Sequence, residues 1–443
     1  MENIGKIGFY DWKNTDNSTK QRVMHRAQAD IDTLLEQIKP ILKNVQENGD
    51  AALIEYAAKF DKAELTSLKV TEEEFTEARK TLDPKVKAAI DHCADNVRKF
   101  HAEQMRRVEK DREWLFEVEP GVFAGEKVTP ITSVGLYVPG GKNQYPSAVY
   151  MLGIPATLAG VEKIVITTPP RSDGKIGDAL LYAAELSGVT EIYKVGGAQA
   201  IAALSYGTET IPAVKKVLGP GSPYIAGAKQ LLNGVIDPGM PAGPSESIIL
   251  CDESANPYNT VLDILNEGEH GPDSAALLVT HDKILAKYVH ENLPIAIKAL
   301  PEPQKGWLKT NMESYSGIIL TESLQDSIDF CNEYATEHLL LKVTNPDDVM
   351  PHLKNAGEIL VGENTPSSFG NYGIGVNHVL PTSANAHTYS CTSVWDFLKR
   401  TSIAKMDAEG FNALKEPVTT MTDYEGFPAH GNVIRDRNIK NSD

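Results

Sequence analysis

A chain of 443 residues is long enough for two or more domains, each burying its own core. A formal net charge of −17 excludes the basic face that nucleic-acid binders need, and 41% hydrophobic with 23% charged residues excludes a disordered chain. The longest apolar run, "AVYMLGIPATLAG", is too short to span a bilayer, and the opening "MENIGKIGFYDWKNTDNS" has no signal-peptide core, so the cytoplasm is the expected location.

Charge and hydrophobe alternate at helical spacing through "ADIDTLLEQIKPILKNVQ" and "DPKVKAAIDHCADNVRKFHAEQ". This predicts a helical N-terminal region over 1–127, with "NGDAAL" marking a helix-to-helix turn. The pattern changes at residue 128. Strand "ITSVGLYVPGG", helix "SAVYMLGIPATLAG", strand "EKIVITTPP", helix "GDALLYAAELSG", strand "TEIYKVGG" and helix "AQAIAALSYG" follow, a first parallel α/β unit over 128–245. Sheets of this kind take ligands at the carboxyl ends of their strands, here the loops at Gly140-Gly141 and Gly196-Gly197. A second α/β unit over 246–370 opens with "SESIILCD", "TVLDILNEGEHG", "AALLVTHD" and "KILAKYVHENL". The segment 371–443 begins with a long polar stretch, "TPSSFGNYGIGVNHVLPTSANAHTYSCTS" reaching into it, of the length that is functional when it is not disordered. It ends in an expected helical tail containing "VWDFLKRTSIAKM".

The four cysteines, Cys93, Cys251, Cys331 and Cys391, are far apart and form no CxxC pair, so they read as reduced thiols. A nucleophilic thiol is left open at Cys331, although a small buried hydrophobe is the ordinary role. No GxGxxG follows a strand. The turns in "VGGAQAIAAL" and "LGPGSPY" could meet a pyrophosphate at a helix N-terminus, or serve only as tight turns.

Chemistry-bearing residues gather in four places. In "LNEGEHGPDS", Glu267 and His270 stand three apart, placed to share one helix face as metal ligands, unless His270 merely caps the helix; Glu269 points elsewhere. "ATEHLLL" sets Glu337 beside His338, an acid and a base whose side chains diverge on a helix and so must act from an element end. "FGNYGIGVNHVLPT" carries Asn371, Asn377 and His378, and "YEGFPAHGN" carries Glu425 and His430. Together they favour a metal-assisted active site.

These clusters, in this order, resemble the histidinol dehydrogenase family. The likeness runs over nearly the whole chain, through "VGLYVPGG", "VGGAQAIAAL", "MPAGPSESIIL", "EGEHGPDS", "EHLLL", "VNHVLPT", "DFLKRTS" and "EGFPAH". The resemblance implies a homodimer with two Rossmann-like domains, one zinc per subunit and NAD, oxidising an amino alcohol through an aldehyde to a carboxylate. It implies His270 and His430 as zinc ligands, Glu337 and His338 as the acid–base pair, Ser245 and Glu425 as substrate contacts, and Tyr137 and Gln199 as NAD contacts. It also implies that a C-terminal tail bearing Glu425 and His430 completes the partner's site.

Three positions depart from the family pattern. Glu267 replaces a glutamine zinc ligand, Asn371 replaces an aspartate, and Ser222 replaces an asparagine near NAD. The first two changes compensate in charge, so Glu267 and Asn371 are retained in the expected zinc set, and Ser222 in the cofactor set. Because that aspartate also faces the substrate, Asn371 points to a non-histidinol alcohol such as 2,3-dihydroxypropane-1-sulfonate, with L-histidinol as the alternative. Lys142 and Arg400 are candidate cations for such an anion. A non-catalytic metabolite-binding paralogue is the distant alternative.

Overall fold

Strands that are apolar at every position need cover on both faces, which is the signature of a parallel sheet between helical layers. The computed structural model, which describes residues 7–26, 31–140 and 144–437, contains two such sheets. The chain opens with β1 (Phe9–Asp11), α1 (Asn17–His25), α2 (Ile31–Tyr56), α3 (Glu72–Thr81) and α4 (Pro84–Lys110). The turn expected in "NGDAAL" is a kink inside α2 at Gly49, where φ is 51°. A hairpin of β2 (Glu113–Glu119) and β3 (Val122–Pro130) leads into the first α/β unit. That unit runs β4 (Ser133–Tyr137), α5 (Pro146–Ala159), β5 (Lys163–Thr168), α6 (Asp178–Leu186), β6 (Ile192–Lys194), α7 (Gly197–Tyr206), β7 (Lys216–Leu218) and α8 (Pro223–Leu231).

The second unit is β8 (Glu246–Cys251), α9 (Pro257–Gly268), β9 (Ala275–Thr280), α10 (Lys283–Ala299), α11 (Gln304–Ser314), β10 (Gly317–Leu320), α12 (Leu324–Tyr334), β11 (Thr336–Lys342), α13 (Pro346–Val349) and β12 (Ala356–Val361). The chain then forms α14 (Ser367–Tyr372), β13 (Leu398–Met406), α15 (Ala408–Tyr424) and α16 (Pro428–Arg435). The first sheet has the order β6-β5-β4-β7 and the second β1-β10-β9-β8-β11-β12, both parallel throughout. Among the described residues, no helix is long and apolar enough to cross a membrane.

Three elements differ from expectation. The N-terminal region is not wholly helical: β1 pairs with β10 at the edge of the second sheet, and 113–130 is a hairpin. The expected helical tail "VWDFLKRTSIAKM" is instead a short 3-10 turn and then β13, paired antiparallel along the whole of β3. "LKRTSIAKM" carries no clean apolar period of either kind, so the partner strand decides its conformation.

Alternate residues of the second sheet face opposite layers. Ile249, Leu278 and Leu340 pack with α9, α10 and α11, whereas Ile248, Leu250, Leu339 and Leu341 pack with α12 and Val23 of α1. Lys342 falls on the first of these faces, where its buried ammonium binds Asp263 of α9 and lies 3.3 Å from Glu363. The pair clamps α9 against β11. Removing one member of a buried pair strands the other charge, so Lys342→Met should cost about 3 kcal/mol in urea denaturation. Lys342→Met combined with Asp263→Leu should recover most of that loss.

Candidate active site

The candidate residues of the second sheet gather at its amino edge, not at the carboxyl edge where such sheets usually bind ligands. Glu246 opens β8, and Glu337 and His338 stand at the start of β11, the element end that their joint action requires. Glu358 on β12 lies directly across from His338 in register. α9 runs back from the carboxyl edge, so its last turn brings Glu267 to the same place.

Hydrogen bonds tie these groups together. The Glu246 peptide N–H donates to Glu337 Oε2 at 3.0 Å, and the Ser383 N–H donates to Glu246 Oε1 at 3.0 Å. Arg26 brings its Nε to 2.5 Å from Glu246 Oε2, donates to the Tyr334 carbonyl, and stacks 3.7 Å over the Tyr334 ring. Its backbone sits at φ 59°, a conformation that a non-glycine residue holds only when its surroundings compel it. His338 Nδ1 is 2.6 Å from Glu358 Oε1, and its Nε2 is 3.8 Å from Glu337 Oε1. Ser245 is half-buried immediately before β8.

Charge is the dominant feature. Glu246, Glu267, Glu337 and Glu358 are all buried, and the cationic partners at hand are Arg26 and His338. Burial, joined by Glu267 and Glu246, holds Glu337 well above the usual carboxylate range against the pull of His338. For His338, burial favours the neutral ring, but Glu337 and Glu358 outweigh it and raise the group to about 10. The cluster by itself therefore holds on to a proton that isolated groups of these types would give up.

A divalent cation fits this requirement. Both carboxylate oxygens of Glu267 are buried without a hydrogen-bond partner, a costly arrangement for a group with no ligand. His270 lies just past the end of α9 at Gly268, and the turn there still brings its Nδ1 to 3.6 Å from Glu267 Oε1. It turns Nδ1 onto the Glu267 carbonyl at 3.1 Å, which leaves Nε2 as the lone-pair nitrogen, the usual arrangement of a metal-binding imidazole. That bond is also the carbonyl cap that the sequence left open. Asn371 is half-buried on α14, which packs against α9. His430, on α16, is exposed, and so is Glu425. α15 and α16 pack on each other and reach the body through β13. Within one chain, among the described residues, no three His, Cys, Asp or Glu side chains converge as a metal site. Glu267 and His270 meet at the end of α9, and Asn371 lies on the helix packed against it.

The expected cofactor residues lie at the carboxyl edge of the first sheet. Tyr137 ends β4, and its hydroxyl accepts the Gly197 N–H at 3.3 Å at the start of α7. Gln199 folds back over Gly197, where φ is 65° and a Cβ would fall 2.6 Å from Gln199 Oε1. Ser222 caps α8 without a side-chain hydrogen bond to it. Gly141 and Lys142 lie outside the described residues. Arg400 does not reach the carboxylates; it stacks on Trp395 and lines a separate cavity of about 840 Å3. Cys331 is buried on α12, which pushes its thiol upward and removes it as a nucleophile.

Two site residues escaped the sequence reading. His378 was visible in "VNHVLPT", but only the structure shows its Nε2 buried and unpartnered, with burial first and then His338 and His270 holding the ring down at about 4. Its neighbour Asn377 is a clamp instead, donating to the Met151 carbonyl at 2.6 Å and meeting His101 at 3.2 Å. Asp61, near Tyr137, has one buried, unpartnered oxygen and is pushed up to about 6 by burial.

The model of the histidinol dehydrogenase family matches residues 24–438. The chain belongs to that family. It is 49% identical over 418 residues to "Histidinol dehydrogenase" of Synechocystis sp., covering 94% of this chain and 95% of that one. It is 44% identical over 441 residues to "Histidinol dehydrogenase homolog" of Colwellia psychrerythraea, covering 98% of each. The crystal structure of histidinol dehydrogenase from Elizabethkingia anophelis superposes with a TM-score of 0.89 at 35% identity, covering 96% of both chains. Family membership makes this protein an NAD-dependent, four-electron alcohol dehydrogenase acting on CH–OH.

Zinc at a hundredfold excess over its Kd should stabilise the metal-free protein by roughly 2.7 kcal/mol, read as a rise in Tm by calorimetry. Glu267→Ala should abolish most of that rise.

Proposed function

We propose that the protein oxidises a small cationic amino alcohol, L-histidinol, through its aldehyde to the carboxylate, with two NAD consumed and zinc as resident metal. The buried carboxylates carry this reading. An ammonium group is attracted to Glu246, Glu267, Glu337 and Glu358, whereas a sulfonate meets like charge. Among the described residues, the sulfonated diol suggested by the Glu267 and Asn371 exchange also lacks a partner: Arg26 is committed to Glu246, and Arg400 lines another cavity. The Synechocystis relative's name supports the same substrate. Four unpaired thiols suit a reducing compartment, the cytoplasm.

When bound, NAD accepts hydride, and zinc supplies positive charge that holds the substrate and offsets the carboxylates. His338 Nε2 takes the hydroxyl proton as the carbon gives up hydride. The resulting aldehyde has no second hydride to give until water adds to it. Glu337, whose Oε1 is 3.8 Å from the same nitrogen, takes the proton of that water. Both side chains are under 10% exposed, so each proton is first taken up in a space largely shielded from solvent and is released before the next turnover. His378, neutral and with Nε2 buried and free of a hydrogen bond, is available to the substrate's polar end.

The partial ligand set calls for a second copy of the chain. Glu425 and His430 enter the partner's site from an arm whose Tyr424, Phe427 and Val433 are exposed in the single chain, which makes the working unit a homodimer. Tyr137, Gln199 and Ser222 hold NAD, and Ser245 the substrate.

The zinc-loaded protein should form two NADH per L-histidinol and none from 2,3-dihydroxypropane-1-sulfonate; the reverse pattern overturns the substrate assignment. Glu337→Gln and His338→Asn should each lower kcat by about 10²–10⁴-fold. Two inactive variants, Glu337→Gln and His430→Ala, unfolded and refolded together, should regain roughly a quarter of wild-type activity. Half the dimers are then mixed, and one of the two sites in each is intact. No regain would place His430 outside the partner's site.

A further inference from the structure

We propose that Glu358 is a positioning residue that fixes the tautomer of His338, so that the catalytic base consists of a buried carboxylate–imidazole pair held across two adjacent strands. The inference rests on the proposed role of His338 and extends it. β11 and β12 are parallel, and His338 and Glu358 are register partners, so their side chains leave the same face of the sheet side by side. Glu358 Oε1 lies 2.6 Å from Nδ1, the short distance of a charge-assisted hydrogen bond. A carboxylate only accepts, so Nδ1 keeps its proton, and Nε2 is the nitrogen that gives up its own and, in the neutral ring, holds the lone pair.

Nε2 is the nitrogen turned toward Glu337, and at 3.8 Å it makes no hydrogen bond there, which leaves its lone pair for a substrate proton. After that proton arrives, the adjacent carboxylate stabilises the imidazolium. The backbone makes room for this arrangement. A Cβ at Gly370 of α14 would fall 2.8 Å from Glu358 Oε1, so a glycine there lets the carboxylate lie against His338. The other oxygen, Oε2, is buried without a partner, so Glu358 makes its one hydrogen bond to the imidazole. A surface-type ion pair would leave both oxygens hydrated.

The tautomer argument separates this role from a structural one. A glutamine at 358 can offer its amide N–H to Nδ1, moving the proton to Nε2 and blocking the base, whereas alanine leaves the ring free to adopt either tautomer. We therefore expect zinc-loaded Glu358→Gln to lose more kcat on L-histidinol than Glu358→Ala, by at least about tenfold, with KM for alcohol and NAD nearly unchanged. Glu358→Asp keeps an acceptor and should retain more kcat than either. In a His338→Asn background, Glu358→Gln should cause no further loss, because its effect passes through that imidazole.

A Glu358→Gln variant milder than Glu358→Ala, or an added loss in the His338→Asn background, would reduce Glu358 to a structural ion pair. If Glu358→Gln fails to fold, the order of Glu358→Asp above Glu358→Ala in kcat at equal KM decides the same question. Full activity of His338→Asn itself would overturn the role of His338, and this inference with it.

Discussion

The arrangement of this protein follows from negative charge buried at the amino edge of its second sheet. Four carboxylate side chains there are largely withdrawn from water, and such a cluster survives only with cations brought to it. Arg26 comes from the opposite end of the sequence. β1 adds to the sheet through β10, α1 packs beneath it through Val23, and the chain enters a strained backbone conformation to set the guanidinium on Glu246. The N-terminal segment therefore acts as an electrostatic part of the site. The remaining charge deficit is what a divalent ion or a cationic substrate supplies.

The same constraint orders the polar segment after β12. Asn377 anchors it to α4 and α5 through His101 and Met151, Val379 and Leu380 enter the core, and Ser383 turns its N–H onto Glu246. One loop thus connects the first helical layers with the carboxylates of the second sheet. The two sheets present unlike edges, Tyr137, Gln199 and Ser222 standing at the carboxyl edge of the first and Glu337 and His338 at the amino edge of the second.

Much of this was legible before the fold was known. The βα alternation announced two parallel sheets, because strands such as "SESIILCD" and helices such as "KILAKYVHENL" have periods that local sequence reveals. Glu337 and His338 were recognisable as partners only if they stood at an element end, and the start of β11 meets that condition. The elements that were misread share a cause. β1 is three residues long, and β2 and β13 are exposed on most positions, so no apolar period marks them and pairing with a distant strand determines their form. Arg400 was a reasonable anion-binding candidate until its position on β13 moved it to another cavity.

The identities of the chemical groups are local facts, and the sequence alone determined them. A glutamate beside a histidine and a glutamate three before another are readable as strings, and with them the class of reaction. The tertiary structure alone decided which charges share a low-dielectric space. Arg26 with Glu246 and Glu358 with His338 are juxtapositions of residues from separate elements, and burial leaves both Glu267 oxygens without a hydrogen bond. Coulombic energy depends on distance and burial, which chain order does not encode.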